Sequence, residues 1–156
     1  MRSSDDIIEI LNDCLTAELT AINQYFVDAK MCANWGFDRM ASHFHDESIG
    51  EMKHADELIE RILYFEGVPN MQRLGPVRVG ETVVEKLNLA LDLEKEAIVR
   101  LNLGIAACVA EADNGTRHLL ESVLVDEEEH ADFLETQLEL IRQLGDALYL
   151  TQQVED

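Results

Sequence analysis

Glu18, Glu51 and His54 recur as Glu94, Glu127 and His130, each member 76 positions after its counterpart. Both halves read Glu, a gap of 32 residues, then Glu-x-x-His. Four carboxylates and two imidazoles, in two copies of one pattern, are the donor set of a dinuclear metal site inside four helices. Hard carboxylate oxygens with imidazole nitrogens suit iron or manganese. No cysteine belongs to the set, which disfavours zinc and iron–sulfur chemistry. The pattern makes Glu51 and Glu127 bridging ligands, and Glu18, Glu94, His54 and His130 terminal ones.

Chance is a poor rival. Glutamate is common here, so one Glu-x-x-His means little. Only five histidines exist, and two of them carry Glu at i−3 with a matching upstream Glu at the same offset. Carboxylates placed at mid-helix also need partners, or burial would protonate them.

The elements that must position this set are helices. Ser3-Ser4-Asp5-Asp6 forms an N-cap region. Apolar residues then recur at helical spacing (Ile7, Ile10, Leu11, Leu15, Leu19, Ile22, Phe26) to about Asn34, before Gly36. A second helix is predicted over about Asp38–Phe65, a third over Thr82–Glu111 and a fourth over Thr116–Leu144. Asn114-Gly115 reads as a turn, and a short fifth helix follows Gly145 near Ala147–Gln152. Gly67, Pro69, Gly75, Pro76 and Gly80 exclude helix between the second and third. A helix of about 28 residues is about 42 Å long, and an extended linker of about 15 residues covers about 50 Å. That linker can span the bundle and set helix three parallel to helix two. The expectation is one all-α domain over residues 1–156, a four-helix bundle with one long crossover and a short fifth helix.

Neighbouring residues extend the set. Asp126 precedes the second Glu-x-x-His, whereas its repeat equivalent is Gly50. Asp126 is expected to accept a hydrogen bond from His54 and fix its ring, leaving His130 without an anchor and more mobile. The alternative is a solvated helix residue. Tyr25 lies two turns after Glu18 on one face, and bonds a ligand carboxylate, or supplies an electron, or is a core tyrosine. Trp35, at a helix end, reads as packing.

Composition narrows the function class. The formal net charge is −20 over 156 residues, which argues against nucleic-acid phosphates and anionic membrane surfaces and favours attracting cations. No run of 18 apolar residues predicts a membrane span. The start, MRSSDDIIEI, carries acids where a signal peptide needs basic and then apolar residues. Cys14, Cys32 and Cys108 form no C-x-x-C pair, which excludes a rubredoxin-type site or zinc ribbon and fits buried thiols in a reducing cytosol.

The segments AELTAINQYF, NWGFDRMASH, DESIGEMKHADELIERIL, EGVPNMQRLG and DEEEHADFLETQLELI resemble the bacterioferritins over nearly the whole chain. The family's six di-iron ligands fall on Glu18, Glu51, His54, Glu94, Glu127 and His130. Haem-free ferritins usually lack the second His. The resemblance implies a ferritin-like cytoplasmic shell of 24 subunits, built of twofold dimers. It also implies that the shell oxidises Fe²⁺ with O₂ or H₂O₂ and stores ferric mineral. Met52 is turned about 100° from the Glu51 face, and by spacing alone it is an interface hydrophobe. The resemblance makes it the axial ligand of a b-type haem, one per two subunits, with a small ferredoxin as reductant. Some members carry His at position 46 and Asp at position 50 as an accessory iron site on the inner surface. Here stand Asp46 and Gly50, so that site is in doubt, and Asp46 with Glu47 is left as a weak iron site.

Two rival readings remain. A rubrerythrin-like peroxide reductase shares the bundle but has a rubredoxin module that this chain lacks. A metal-free helical scaffold would leave six polar side chains converging in a core.

Overall fold

The computed structural model describes residues 4–155, so Ser3 of the expected N-cap region lies outside them. Five helices follow one another: α1 (Asp5–Asn34), α2 (Asp38–Tyr64), α3 (Val83–Ala110), α4 (Asn114–Leu144) and α5 (Asp146–Thr151). Each long helix starts or stops for an identifiable reason. Ser4 accepts from the Ile7 backbone N–H at 3.2 Å and caps α1. Gly36, at φ +87°, turns the chain out of α1 while Phe37 N–H closes back on the Cys32 carbonyl. Thr82 caps α3 by accepting from Glu85 N–H.

The start of α4 differs from expectation. Asn114 and Gly115 are its first residues and form no separate turn. The cause is Asp113, whose carboxylate accepts from the Thr116 backbone N–H at 3.0 Å and so starts the helix two residues earlier.

Cross-helix contacts give the topology. Ile22 meets Ser48 and Glu18 meets His54, so α1 and α2 are antiparallel. Tyr25 meets Glu94 and Asp28 meets Lys86, so α1 and α3 are antiparallel too. Helices α2 and α3 therefore run parallel, as a long crossover requires. That crossover climbs a polar stripe of α1 at four-residue steps. Asn12 accepts from Asn70 N–H, Thr16 from the Arg73 guanidinium, Thr20 from Gly75 N–H and Gln24 from Arg78 N–H.

The apolar core is in two parts. One cluster holds Tyr25, Cys32, Met40, Phe44, Leu87, Leu134 and Tyr149 with their neighbours. The other holds Ile7, Leu11, Cys14, Leu58, Ile62, Leu101, Cys108 and Leu120. Between them lies a polar waist at mid-height. The three cysteines are buried free thiols, and desolvation pushes that of Cys14 up to about 12. Trp35 does more than pack: the Lys86 ammonium sits 5.3 Å from its ring centroid. No helix among the described residues is long and apolar enough to cross a membrane.

Candidate metal centre

Each long helix lends its middle to the waist. Glu18 comes from α1, Glu51 and His54 from α2, Glu94 from α3, and Glu127 and His130 from α4. The i, i+3 spacing puts each Glu-x-x-His pair on one helix face. Glu51, Glu94 and Glu127 are each 1% exposed, Glu18 4% and His54 5%. The six residues recognised in the sequence are thus brought together.

They form two overlapping groups. In one, a donor atom from each of Glu18, Glu51, His54 and Glu127 lies within 4.8 Å of the others; in the second, Glu47, Glu51, Glu94 and His130 do the same. His54 Nδ1 is 3.1 Å from Glu127, 3.6 Å from Glu18 and 3.8 Å from Glu51. His130 Nδ1 is 3.2 Å from Glu51, 3.6 Å from Glu94 and 3.8 Å from Glu127. Glu51 and Glu127 therefore face both imidazoles, while Glu18 and Glu94 each face one. That is the arrangement bridging and terminal carboxylates require.

The donor chemistry fits a pair of cations. One buried side-chain atom on each of Glu18, Glu51, His54, Glu94, Glu127 and His130 has no hydrogen-bond partner. Orphaned polar atoms at this depth are costly in a purely structural core. Burial, and then the charge of Glu51, push the Glu18 carboxyl well above its usual range. Burial beside Glu94 pushes Glu127 up to about 12. Burial also opposes ionisation of Glu51, yet the close approach of Glu18, His130 and His54 holds it well below the carboxylate range. Both imidazoles lose hydration, but the carboxylates around them carry them well above the usual histidine value. Protons thus balance the charge here, and two divalent cations would take over that balance by displacing them.

Groups around the centre hold it in place. The Tyr25 hydroxyl donates to Glu94. Burial, and then the Glu94 charge, push this phenol well above its usual range. Asp126 Oδ2 lies 2.7 Å from His54 Nε2. The expectation that His130 has no anchor is overturned. Glu47 Oε2 sits 2.9 Å from His130 Nε2, because Glu47 precedes Glu51 by one helical turn and shares its face. That i−4 spacing was the available signal. Glu47 and Asp46 do not come together as a pair: Glu47 turns into the centre, while Asp46 stays exposed beside His43 and Arg39. A cavity of about 120 Å³ reaches Glu18, Glu51, Glu94 and Glu127, with Gly75 and Arg78 of the crossover also on its wall.

A family model for the ferritin-like domain matches residues 8–144. Bacterioferritins of Mycobacterium bovis and Mycobacterium leprae are each 47% identical over 152 residues, which is 97% of this chain and 96% of theirs. The chain belongs to the bacterioferritin family. The bacterioferritin of Streptomyces coelicolor is 47% identical over 155 residues, covering 99% of this chain and 93% of that one. A solved bacterioferritin of Mycobacterium tuberculosis superposes with a TM-score of 0.98 at 47% identity, over 99% of this chain and 98% of that chain. Bacterioferritin membership is carried here by nearly the full length, and the ferritin-like four-helix bundle with it.

Met52 stands apart from the centre. It is 51% exposed on α2, and Ile49, one helical turn before it, is exposed as well. An apolar, solvent-facing patch around a thioether suits a flat apolar group or a partner subunit, and does not suit a role at the waist.

Proposed function

We propose that this bacterioferritin stores iron and detoxifies it. It would bind two Fe²⁺ per chain at the waist and oxidise them to Fe³⁺ with O₂ or H₂O₂. The ferric product would collect inside a cytoplasmic 24-subunit shell. One observation carries the reading: six side chains converge between two apolar clusters, and each keeps a buried donor atom without a hydrogen-bond partner. A metal-free scaffold gives no reason for that cost.

In this reading Glu51 and Glu127 lie between the two Fe²⁺ substrates. Glu18 with His54 holds one, and Glu94 with His130 holds the other. Paired cations stabilise negative charge that develops on the oxidant. Asp126 keeps His54 in the tautomer whose Nδ1 lone pair faces the centre, and the Glu47 carboxylate stands 2.9 Å from His130 Nε2. Tyr25 orients Glu94 and is placed to supply an electron.

Met52 would hold a b-type haem, one methionine from each of two subunits related by a twofold axis. Thioether ligation raises a haem's potential, which suits electron entry from a small ferredoxin when iron is released. The apolar exposed patch around Met52 supports this placement.

The test is iron retained per chain after excess Fe²⁺ is added in air to metal-free protein, followed by gel filtration. Tens of irons on a particle far larger than one chain is the expected result. About two irons per chain on a small oligomer would sink storage and leave a peroxide-reducing di-iron enzyme.

A further inference from the structure

Lysine and arginine number 12 in this chain against 32 acids, and Arg61, Arg73, Arg78, Arg117 and Arg142 each pair with a carboxylate. Lys95 and Arg100 make no ion pair among the described residues, yet both line one groove between α1 and α3. The groove holds about 660 Å³, and Ile10, Val99, Leu103 and Gly104 give it an apolar wall. Val99 is 61% exposed and Leu103 69%, one helical turn apart on the same face. Two acids also line the groove, Asp13 and Glu96. Both are already neutralised from the crossover, since Arg73 lies 2.7 Å from Asp13 and Arg78 3.2 Å from Glu96. The uncompensated charge of the groove is therefore positive, on a chain at −20. Asp13, Glu96 and Arg100 line the cavity of about 120 Å³ as well, the one that reaches Glu18, Glu51, Glu94 and Glu127. Groove and cavity meet at these three residues.

We infer that the groove binds a free medium-chain carboxylic acid, with its carboxylate on Arg100 and Lys95 and its alkyl chain along Ile10, Val99 and Leu103. Three features select this occupant. The volume is that of a small-molecule site. A guanidinium offers a carboxylate two parallel hydrogen bonds, and the methylene stems of Lys95 and Arg100 extend the apolar wall. A docked helix would need anchors at i, i+4 and i+7, whereas the exposed apolar wall on α3, from Val99 to Leu103, is a single turn long. The bound acid lies across the mouth of the cavity and slows the passage of Fe²⁺ to the waist. This regulatory half rests on the di-iron reading; the binding half does not.

The experiment titrates decanoate into the metal-free assembled protein by calorimetry. One decanoate per chain is expected. Decanol carries no charge and should bind at least about tenfold more weakly, because hydrogen bonds to a charged group contribute that much. The double variant Lys95→Gln/Arg100→Gln should weaken decanoate by a similar factor. Octanoate should bind less tightly by up to about fourfold for each methylene lost. Val99→Asp sets a carboxylate against that of the ligand and should abolish binding. These side chains are exposed or half-buried, and melting temperature and particle size check that each variant folds and assembles. No binding to the wild type overturns the site. So does binding that decanol matches or that the variants leave unchanged, which would put decanoate on another apolar face such as that of Met52. Saturating decanoate should then slow Fe²⁺ oxidation in the wild type and leave Val99→Asp unaffected. An unchanged rate with decanoate bound overturns the regulation and leaves the site standing. Absence of Fe²⁺ oxidation in every sample overturns the di-iron reading and with it the regulation, and the site still stands.

Discussion

Lys86 and Asp28 form an ion pair at 3.0 Å inside the bundle, at 0% and 1% side-chain exposure. The ammonium also lies 3.2 Å from Met31 Sδ and over the Trp35 ring. Burial pushes Asp28 up to about 6, even with Lys86 pulling the other way. Removing one partner of a buried pair leaves an uncompensated charge, at a cost of about 3–5 kcal/mol. Lys86→Met should lose about that much at pH 8. A folded value near 6, above the ordinary 3.8, means that folding favours the protonated acid. Its contribution is complete below about 3.8 and fades as pH rises through about 6. Without Lys86 the carboxyl shifts higher still, so Lys86→Met should cost less at pH 5 than at pH 8. Urea unfolding of the metal-free protein at both pH values checks this. The double variant Asp28→Asn/Lys86→Met should recover part of the loss.

Asp113 supports a different pH dependence. Its carboxylate caps α4 through Thr116 and pairs with Arg61 at 3.2 Å. Burial works against its charge, but the hydrogen bonds from Thr116 and the Arg61 guanidinium hold it below its usual value. A depressed acid contributes stability above its ordinary 3.8 and loses it as pH falls through the folded value. Asp113→Ala should cost about 1–2 kcal/mol at pH 7, and the gap to wild type should close towards pH 2. Denaturant midpoints at the two pH values are the measurement.

Glu127 tests whether the waist is built for metal or for stability. Glutamine reproduces the shape and hydrogen bonding of a protonated glutamate, and burial already favours that form here. Glu127→Gln should leave the melting temperature of the metal-free protein within a few degrees of wild type. The rise on adding Co²⁺ should be mostly lost, since an amide oxygen brings no charge to bridge two cations. A variant that still gains the full Co²⁺ increment would remove Glu127 from the ligand set.

The convergence of the six residues was legible because a repeat is a statement about positions, and six residues at one offset survive any uncertainty in helix ends. The helices were legible from apolar periodicity, to within one or two residues at most ends. The α4 start was misread because Asn-Gly usually turns the chain, and the cap that overrode it depends on Asp113 reaching Thr116. The place of Glu47 was not legible for a related reason: it obeys no repeat, since the carboxylate beside His130 comes from i−4 of Glu51 where the one beside His54 comes from i−1 of Glu127. Lys86 gave no signal at all, since lysine is among the last residues expected in a core. The polar stripe Asn12, Thr16, Thr20 and Gln24 carried no local signal that the crossover lies along it.

Met52 offers the sharpest separation of the two proposed cofactor roles. Its side chain is half exposed and points away from the waist, so Met52→Leu keeps the apolar surface and the fold while removing the thioether. The purified variant should lose the Soret band of bound haem while the rate of Fe²⁺ oxidation per chain stays within about twofold of wild type. That factor is under 0.5 kcal/mol of barrier. Iron release driven by an external reductant should slow, because electron entry would lack its haem. If haem binding survives Met52→Leu undiminished, the axial ligand lies elsewhere and the exposed patch is a subunit contact alone. If haem is lost together with Fe²⁺ oxidation, the two sites are coupled through the twofold dimer and not independent.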